Sequence, residues 1–266
     1  MLTSSPAAES FAATEKEEPR PVDQQTKAAL KQDNFITTTS HGLEWAKENR
    51  KSVIVTVSLL LAVIIILVAV GVIYTQRSNA AETAFGEAMQ VYQAPVAIAG
   101  QPAMPGVKTY ANVAERATAA NKLFANVADH YGMTKDGKNA RYFAGLTAAE
   151  AGQTQTAETT LKAVADGFDK DLANLAKLAL ADLYRQTGRD GQAVDLYNQL
   201  AAKPTNTVPA ATAQIALAEM YTAEGKTEQA RKIYAQLKDK DAKGVGGVLA
   251  AQKLNPAAAT GPSLQQ

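Results

Sequence analysis

The sequence predicts an all-α protein, a single transmembrane helix followed by a stack of helical hairpins. Three observations predict it. Residues 52–76 form a run of 25 positions without a charge. Alanine-rich stretches with apolar residues at helical spacing fill most of residues 111–254. Within them, three segments align with one another at intervals of 36 and 37 residues.

The uncharged run reads SVIVTVSLLLAVIIILVAVGVIYTQ, and sixteen of residues 53–73 are Val, Ile or Leu. As a helix it spans roughly 37 Å, which exceeds the ~30 Å of a hydrocarbon core. Each of those side chains favours insertion by about 0.3–0.6 kcal/mol at the membrane centre, enough to outweigh the few Ser and Thr present. Ser78 and Ala80 have the small side chains of a signal cleavage site. The run is nevertheless longer than a signal's apolar region, and it follows some fifty residues of polar chain. It is therefore read as a retained anchor, with the lipid bilayer as the partner of residues 52–76.

The flanks suggest an orientation. Lys47, Arg50 and Lys51 precede the run, whereas only Arg77 follows it before Lys108. The bias of Lys and Arg toward the cytoplasmic side places residues 1–51 inside and 77–266 outside, which in a bacterial cell is the periplasm. Trp45 and Tyr74 are candidate interface anchors.

Composition excludes several functions. The chain has a formal net charge of +1 and no cysteine, which removes disulfides and thiolate zinc sites. Residues 77–266 carry 20 Lys and Arg against 18 Asp and Glu with no basic cluster, so no nucleic-acid partner is expected. Only two histidines exist, His41 and His130. No nucleophile elbow, phosphate loop or metal-spaced carboxylate pair is present. The run KDGKN at 135–139 reads as an inter-helix turn, and Asp166, Asp169 and Asp171, interleaved with Lys162 and Lys170, as a solvated turn. The chain is read as a non-enzyme without cofactor, metal or small-molecule substrate.

Five regions follow along the chain. Residues 1–40, with few apolar side chains to bury, form a disordered cytoplasmic tail. Residues 41–76 form the juxtamembrane and transmembrane helix. Residues 77–110 hold an extension helix, striped by Ala81, Phe85, Ala88, Met89 and Tyr92, and a loop punctuated by Pro95, Gly100, Pro102, Pro105 and Gly106. Residues 111–254 are the repeat domain, and residues 255–266 a disordered tail.

The repeats are RYFAGLTAAEAGQTQTAETTLKAV, KLALADLYRQTGRDGQAVDLYNQL and QIALAEMYTAEGKTEQARKIYAQL, aligned on Gly152, Gly188 and Gly225. Leu180 and Ala181, like Leu217 and Ala218, belong where the first helix of a hairpin, helix A, meets the second, helix B. Tyr184 and Tyr221 fill the gap between them. The aligned glycines end helix A in a left-handed conformation. Ala193 and Ala230 let helix B approach, and Tyr197 and Tyr234 pack on the next repeat. In the first copy, Ala148 replaces the helix A tyrosine and Leu161 the helix B aromatic. An upstream half-repeat is expected from Ala120, Phe124 and Val127. A lone hairpin cannot bury its apolar face, so stacking makes the core.

This pattern resembles the tetratricopeptide repeat. The resemblance implies a right-handed α-solenoid whose concave, protein-binding surface is lined by helix A. The groove-facing positions would be Asn139, Tyr142, Leu146 and Glu150 in the first repeat. They would be Leu178, Asp182 and Arg185 in the second, and Ile215, Glu219 and Thr222 in the third. Arrays that clamp a peptide carboxylate place Lys, Arg and Asn there. These apolar and acidic residues suit an extended or helical polypeptide instead, unless they contact another helix of the same chain.

The whole layout resembles the ancillary SecYEG translocon subunit family (YfgM-type). The resemblance covers roughly residues 40–254 and rests on LTAAEAGQTQTAETTL, LALADLYRQTGRDGQAVDLY and IALAEMYTAEGKTEQARKIY. The long N-terminal tail and the loop at 93–106 depart from it. It implies a single-pass protein of the bacterial inner membrane, with a cytoplasmic N-terminus and a periplasmic repeat domain. The function it implies is that of an interaction scaffold or chaperone accessory for the SecYEG translocon, periplasmic chaperones or secretory clients. A structural assembly factor of another envelope complex, or a regulatory sensor using the cytoplasmic tail, are the alternatives.

Overall fold

The computed structural model describes Trp45, residues 47–98, Gly106 and residues 108–255. The disorder expected of residues 1–40 and of the C-terminal tail beyond Asn255 falls outside the described residues, as does His41. The chain divides after Ala69 into two compact units.

The described part of the first unit is the beginning of α1 (Arg50–Tyr92), a helix of 43 residues that continues into the second unit. The anchor run and the extension helix are thus one helix. Its most apolar stretch is long and apolar enough to cross a membrane, and none of that stretch is buried within the chain. Two hydroxyls within the run bond to its own backbone: Thr56 Oγ1 donates to Ser52 O and Thr75 Oγ1 to Gly71 O, each at 2.9 Å.

The second unit begins with the end of α1 and, among the described residues, contains eight further helices. They are α2 (Val113–Tyr131), α3 (Lys135–Glu150), α4 (Thr154–Ala165), α5 (Lys170–Gln186), α6 (Asp190–Ala202), α7 (Ala210–Ala223), α8 (Thr227–Lys240) and α9 (Val245–Leu254). Each packs on its neighbours in chain order, the arrangement of a hairpin solenoid. Between α1 and α2 the breaker-rich loop is pinned by one isolated parallel bridge. Ala97 N donates to Tyr110 O at 2.8 Å and Tyr110 N to Pro95 O at 3.1 Å.

Ala120, Phe124 and Val127, the residues of the expected upstream half-repeat, are all buried on α2, in a cluster rich in rings. Phe124 is fully buried and stacks on Phe143 at 5.2 Å between ring centroids. Phe85 of α1 stands at 5.6 Å and 5.7 Å from these two rings, and Tyr92 joins both. Ala120 and Val127 are buried beside them. The stripe expected on the extension helix is the surface that α1 lends to α2 and α3, with Ala81 and Ala88 fully buried.

KDGKN is not a turn. The connection is Gly132–Thr134, and Lys135 already begins α3. Thr134 caps that helix, its Oγ1 accepting from Gly137 N at 3.0 Å. The Gly in the run suggests a break, but a capping Thr immediately before it starts a helix instead.

The three hairpins α3–α4, α5–α6 and α7–α8 close in the same way. Gly152, Gly188 and Gly225 have φ of 77°, 70° and 75°. Around each, the two bonds of a Schellman turn form; at the second, Arg189 N donates to Tyr184 O at 2.8 Å and Gly188 N to Arg185 O at 3.3 Å. Ala181 and Ala218 on helix A and Ala157, Ala193 and Ala230 on helix B are almost completely buried. The first hairpin has Gly145 where the others have alanine, and a Cβ there would lie 2.7 Å from Leu161 Cγ and Cδ2. The shorter Leu161 leans into space that only glycine leaves open.

Tyr184 reaches further than its place between α5 and α6 suggests. Its hydroxyl donates to Glu158 of α4 at 3.2 Å, across the junction between hairpins. Glu158 also binds Lys162 and Arg189, both at 2.7 Å, and Arg189 lies over the Tyr184 ring. These hydrogen bonds, from Lys162 first and Arg189 second, hold the Glu158 carboxyl down to about 2 from its ordinary 4.5. Beyond α6, the connection at 203–209 is longer than the others between α2 and α9. It buries Val208 against Leu200 and Ala213, with Leu175 and Leu178 alongside, and it is tied to α5 by Asn174 Nδ2 donating to Lys203 O at 2.9 Å. Helix α9 covers the last hairpin through Ala250, packed with Ala218, Tyr234 and Leu237.

Two stability predictions follow from these contacts. Gly188→Ala places a side chain at positive φ and should cost about 1 kcal/mol. Gly191→Ala, in the open first turn of α6, should stabilise by about 0.5–1 kcal/mol; urea midpoints followed by circular dichroism compare the two. A lowered carboxyl stabilises the fold above about pH 4.5 and loses that contribution as pH falls toward 2. Glu158→Gln should therefore cost about 1 kcal/mol at neutral pH, after allowance for solvent screening of its partners. It should also flatten the fall in melting temperature over that acid range.

Candidate protein-binding groove

Helix A of the first hairpin, α3, and helix A of the second, α5, lie side by side. Residues i, i+3, i+4 and i+7 of a helix share one face, so Tyr142, Leu146 and Glu150 on α3 face Leu175, Leu178 and Asp182 on α5. Together they line an open groove of about 280 Å³, floored by Leu161 and Leu183. Tyr142, Leu146, Leu178 and Asp182 are all half-buried, with side chains neither sealed in the core nor free in solvent.

The acidic residues of the groove are held by tyrosines. Asp182 Oδ1 accepts from the Tyr197 hydroxyl at 2.6 Å, and Glu150 Oε1 from that of Tyr92 at 2.8 Å. Arg116 of α2 lies 3.7 Å from the other Glu150 oxygen. Burial, then the carboxylate, pushes the Tyr92 phenol up to about 12. Burial and Asp182 likewise raise Tyr197, and burial first, with the negative charge of Asp182 second, raises Tyr142. The phenols of Tyr92 and Tyr197 are protonated donors at neutral pH, each aimed at a carboxylate oxygen at the edge of the groove.

Five of the ten residues assigned to the groove from sequence are gathered here: Tyr142, Leu146, Glu150, Leu178 and Asp182. Asn139 and Arg185 lie on the same helices outside the lining. The third-repeat residues are engaged elsewhere. Ile215 packs in the cluster formed with α8 and α9. Glu219 binds Lys253 of α9 at 2.8 Å, and Thr222 Oγ1 donates back to Ala218 O. The lining also includes Leu175, Ala179, Leu183 and Gln186. Their spacing from Leu178 and Asp182 along one helical stripe was the available signal.

No group of three or more His, Asp or Glu able to hold a metal occurs among the described residues. His130 is exposed at the end of α2, its Nδ1 2.9 Å from Asn126 O.

The family model of the tetratricopeptide repeat-like domain matches residues 44–258, most of the chain. No curated protein and no solved structure matches it. Domains of this kind are typically protein-interaction modules, and no catalytic family is indicated. With its hairpins closed at a glycine every 36 or 37 residues, the chain belongs to the tetratricopeptide repeat-like domain family.

Proposed function

We propose that the chain is a membrane-anchored scaffold or chaperone accessory that holds polypeptides in the groove between α3 and α5. The observation that carries this reading is the groove itself. Its apolar centre of Tyr142, Leu146 and Leu178 suits side chains of an extended or helical segment, and its edges hold fixed carboxylates. Asp182 and Glu150 would accept from backbone or basic donors of the bound segment.

The anchor reading is supported by the unburied apolar window of α1 and by its internally bonded hydroxyls. Lys47, Arg50 and Lys51 before it favour a cytoplasmic N-terminus and an external repeat domain. In a bacterial inner membrane this orientation would put the groove on the side where translocated chains emerge. By resemblance, the SecYEG translocon, periplasmic chaperones and secretory clients are the proposed partners. Residues 41–76 then serve as anchor, 77–110 as extension and 111–254 as the binding domain, with 1–40 left in the cytoplasm.

Photo-crosslinkers placed at Leu146 and Leu178 in intact membranes should capture translocon, chaperone or secretory clients. The same probe at Ile215, covered by the last hairpin and α9, should react mainly within the chain. Equal yields at all three sites, or captures unrelated to secretion, would sink the groove assignment. Stable stoichiometric recovery with another envelope complex would instead identify an assembly factor. Reporter fusions after residues 40 and 254 should give cytoplasmic and external readings respectively; the reverse pattern overturns the orientation.

A further inference from the structure

The two ends of the hairpin array differ in chemistry. At one end lie the turns from helix A to helix B, built of Gly152–Gln153, Gly188–Arg189 and Gly225–Lys226. At the other end lie the connections from helix B to the next helix A. There Met133 is 85% exposed, and Phe168 is 106% exposed, without any cover from its own chain. A single exposed apolar residue is ordinary. Large apolar side chains stand at the tips of two successive turns on this end, whereas the glycine turns of the three hairpins carry none; at the other end Ile98 of the α1–α2 loop is also exposed.

The surroundings of these turns indicate what covers them. The Met133 turn and the last apolar positions of the uncharged run in α1, Val70, Ile73 and Tyr74, line one cavity of about 630 Å³. Arg141 borders it and also borders a second cavity of about 190 Å³, lined by Gly132 and Phe168. The two turns are therefore linked to each other and to the end of the apolar run. Tyr74 and Arg77, the aromatic and the cation closing that run, are residue types that settle at the membrane–water interface.

We propose that the α2–α3 and α4–α5 turns seat in the interface of the membrane crossed by α1, with Met133 and Phe168 as the inserting side chains. The inference rests on the anchoring reading above. Two such side chains would bind a bilayer weakly alone. Tethered to α1, they meet the surface at high effective concentration, so no independent affinity is required. The cations Arg77, Lys138 and Arg141 border the cavities, opposed by Asp129 and Asp169. The Asp169 side chain is already occupied in capping α5. This near balance makes apolar insertion the main attraction, with charge secondary.

The chain has no cysteine, so single labels are clean. Met133→Cys, Phe168→Cys, Gln153→Cys and Leu61→Cys, each in the full chain, would be labelled with bimane. The labelled proteins would then be reconstituted in phosphatidylethanolamine and phosphatidylglycerol vesicles. Lipids carrying a doxyl group near the headgroup should quench labels 133 and 168 severalfold more than label 153. Lipids with the doxyl deep in the acyl chain should quench label 61. If label 61 is not quenched, the anchoring reading fails and this inference with it. If label 61 is quenched while labels 133 and 168 match label 153, anchoring stands and the docking is overturned. Shielding of 133 and 168 from aqueous iodide without lipid quenching would assign the turns to a second copy of the chain, which also overturns it. Unchanged circular dichroism confirms that each variant is folded.

Discussion

Close approach of paired helices, permitted by a small residue on each, is the constraint on which the rest of the structure depends. Gly145, Ala181 and Ala218 on the helix A side meet Ala157, Ala193 and Ala230 on the helix B side, all of them buried. With the hairpin closed at its small residues, the large side chains have no room inside it. They project to where neighbouring hairpins meet, and the main core cluster accordingly runs from Leu161 of α4 through Tyr184 and Tyr197 to Leu217 and Met220 of α7. Stacking is thus a consequence of narrow hairpins, and each unit depends on its neighbour for burial.

Such an array needs its ends covered by something other than another repeat. At the start, α1 supplies Phe85 and Tyr92, which form one ring cluster with Phe124 and Phe143. At the finish, α9 brings Gly246, Gly247 and Ala250 close against α7 and α8. The helix that carries the long apolar window therefore also caps the solenoid.

The groove arises where two A helices run side by side and leave part of their facing stripes open. Tyrosine hydroxyls of α1 and α6 donate to the carboxylates at its margins, so recognition would combine an apolar floor with oriented acceptors.

Much of this was legible in the amino-acid order because it is local or periodic. The uncharged run declares its own length, a glycine at positive φ is the ordinary residue for a helix C-terminus, and a recurring small residue marks a helix contact. The gathering of Tyr142, Leu146, Glu150, Leu178 and Asp182 on one face also follows from 3.6-residue periodicity. Periodicity states which face a residue occupies and is silent about what covers that face. Leu178 and Ile215 hold equivalent positions, yet one borders an open groove and the other lies in the cluster with α8 and α9. Likewise the reach of Tyr184 to Glu158, the burial of Val208 and the ring cluster of α1 to α3 join residues from separate elements. The chain order alone determined the helices and their small-residue contacts. Only the tertiary structure decided which surfaces remained open, because openness depends on neighbours that lie distant in sequence.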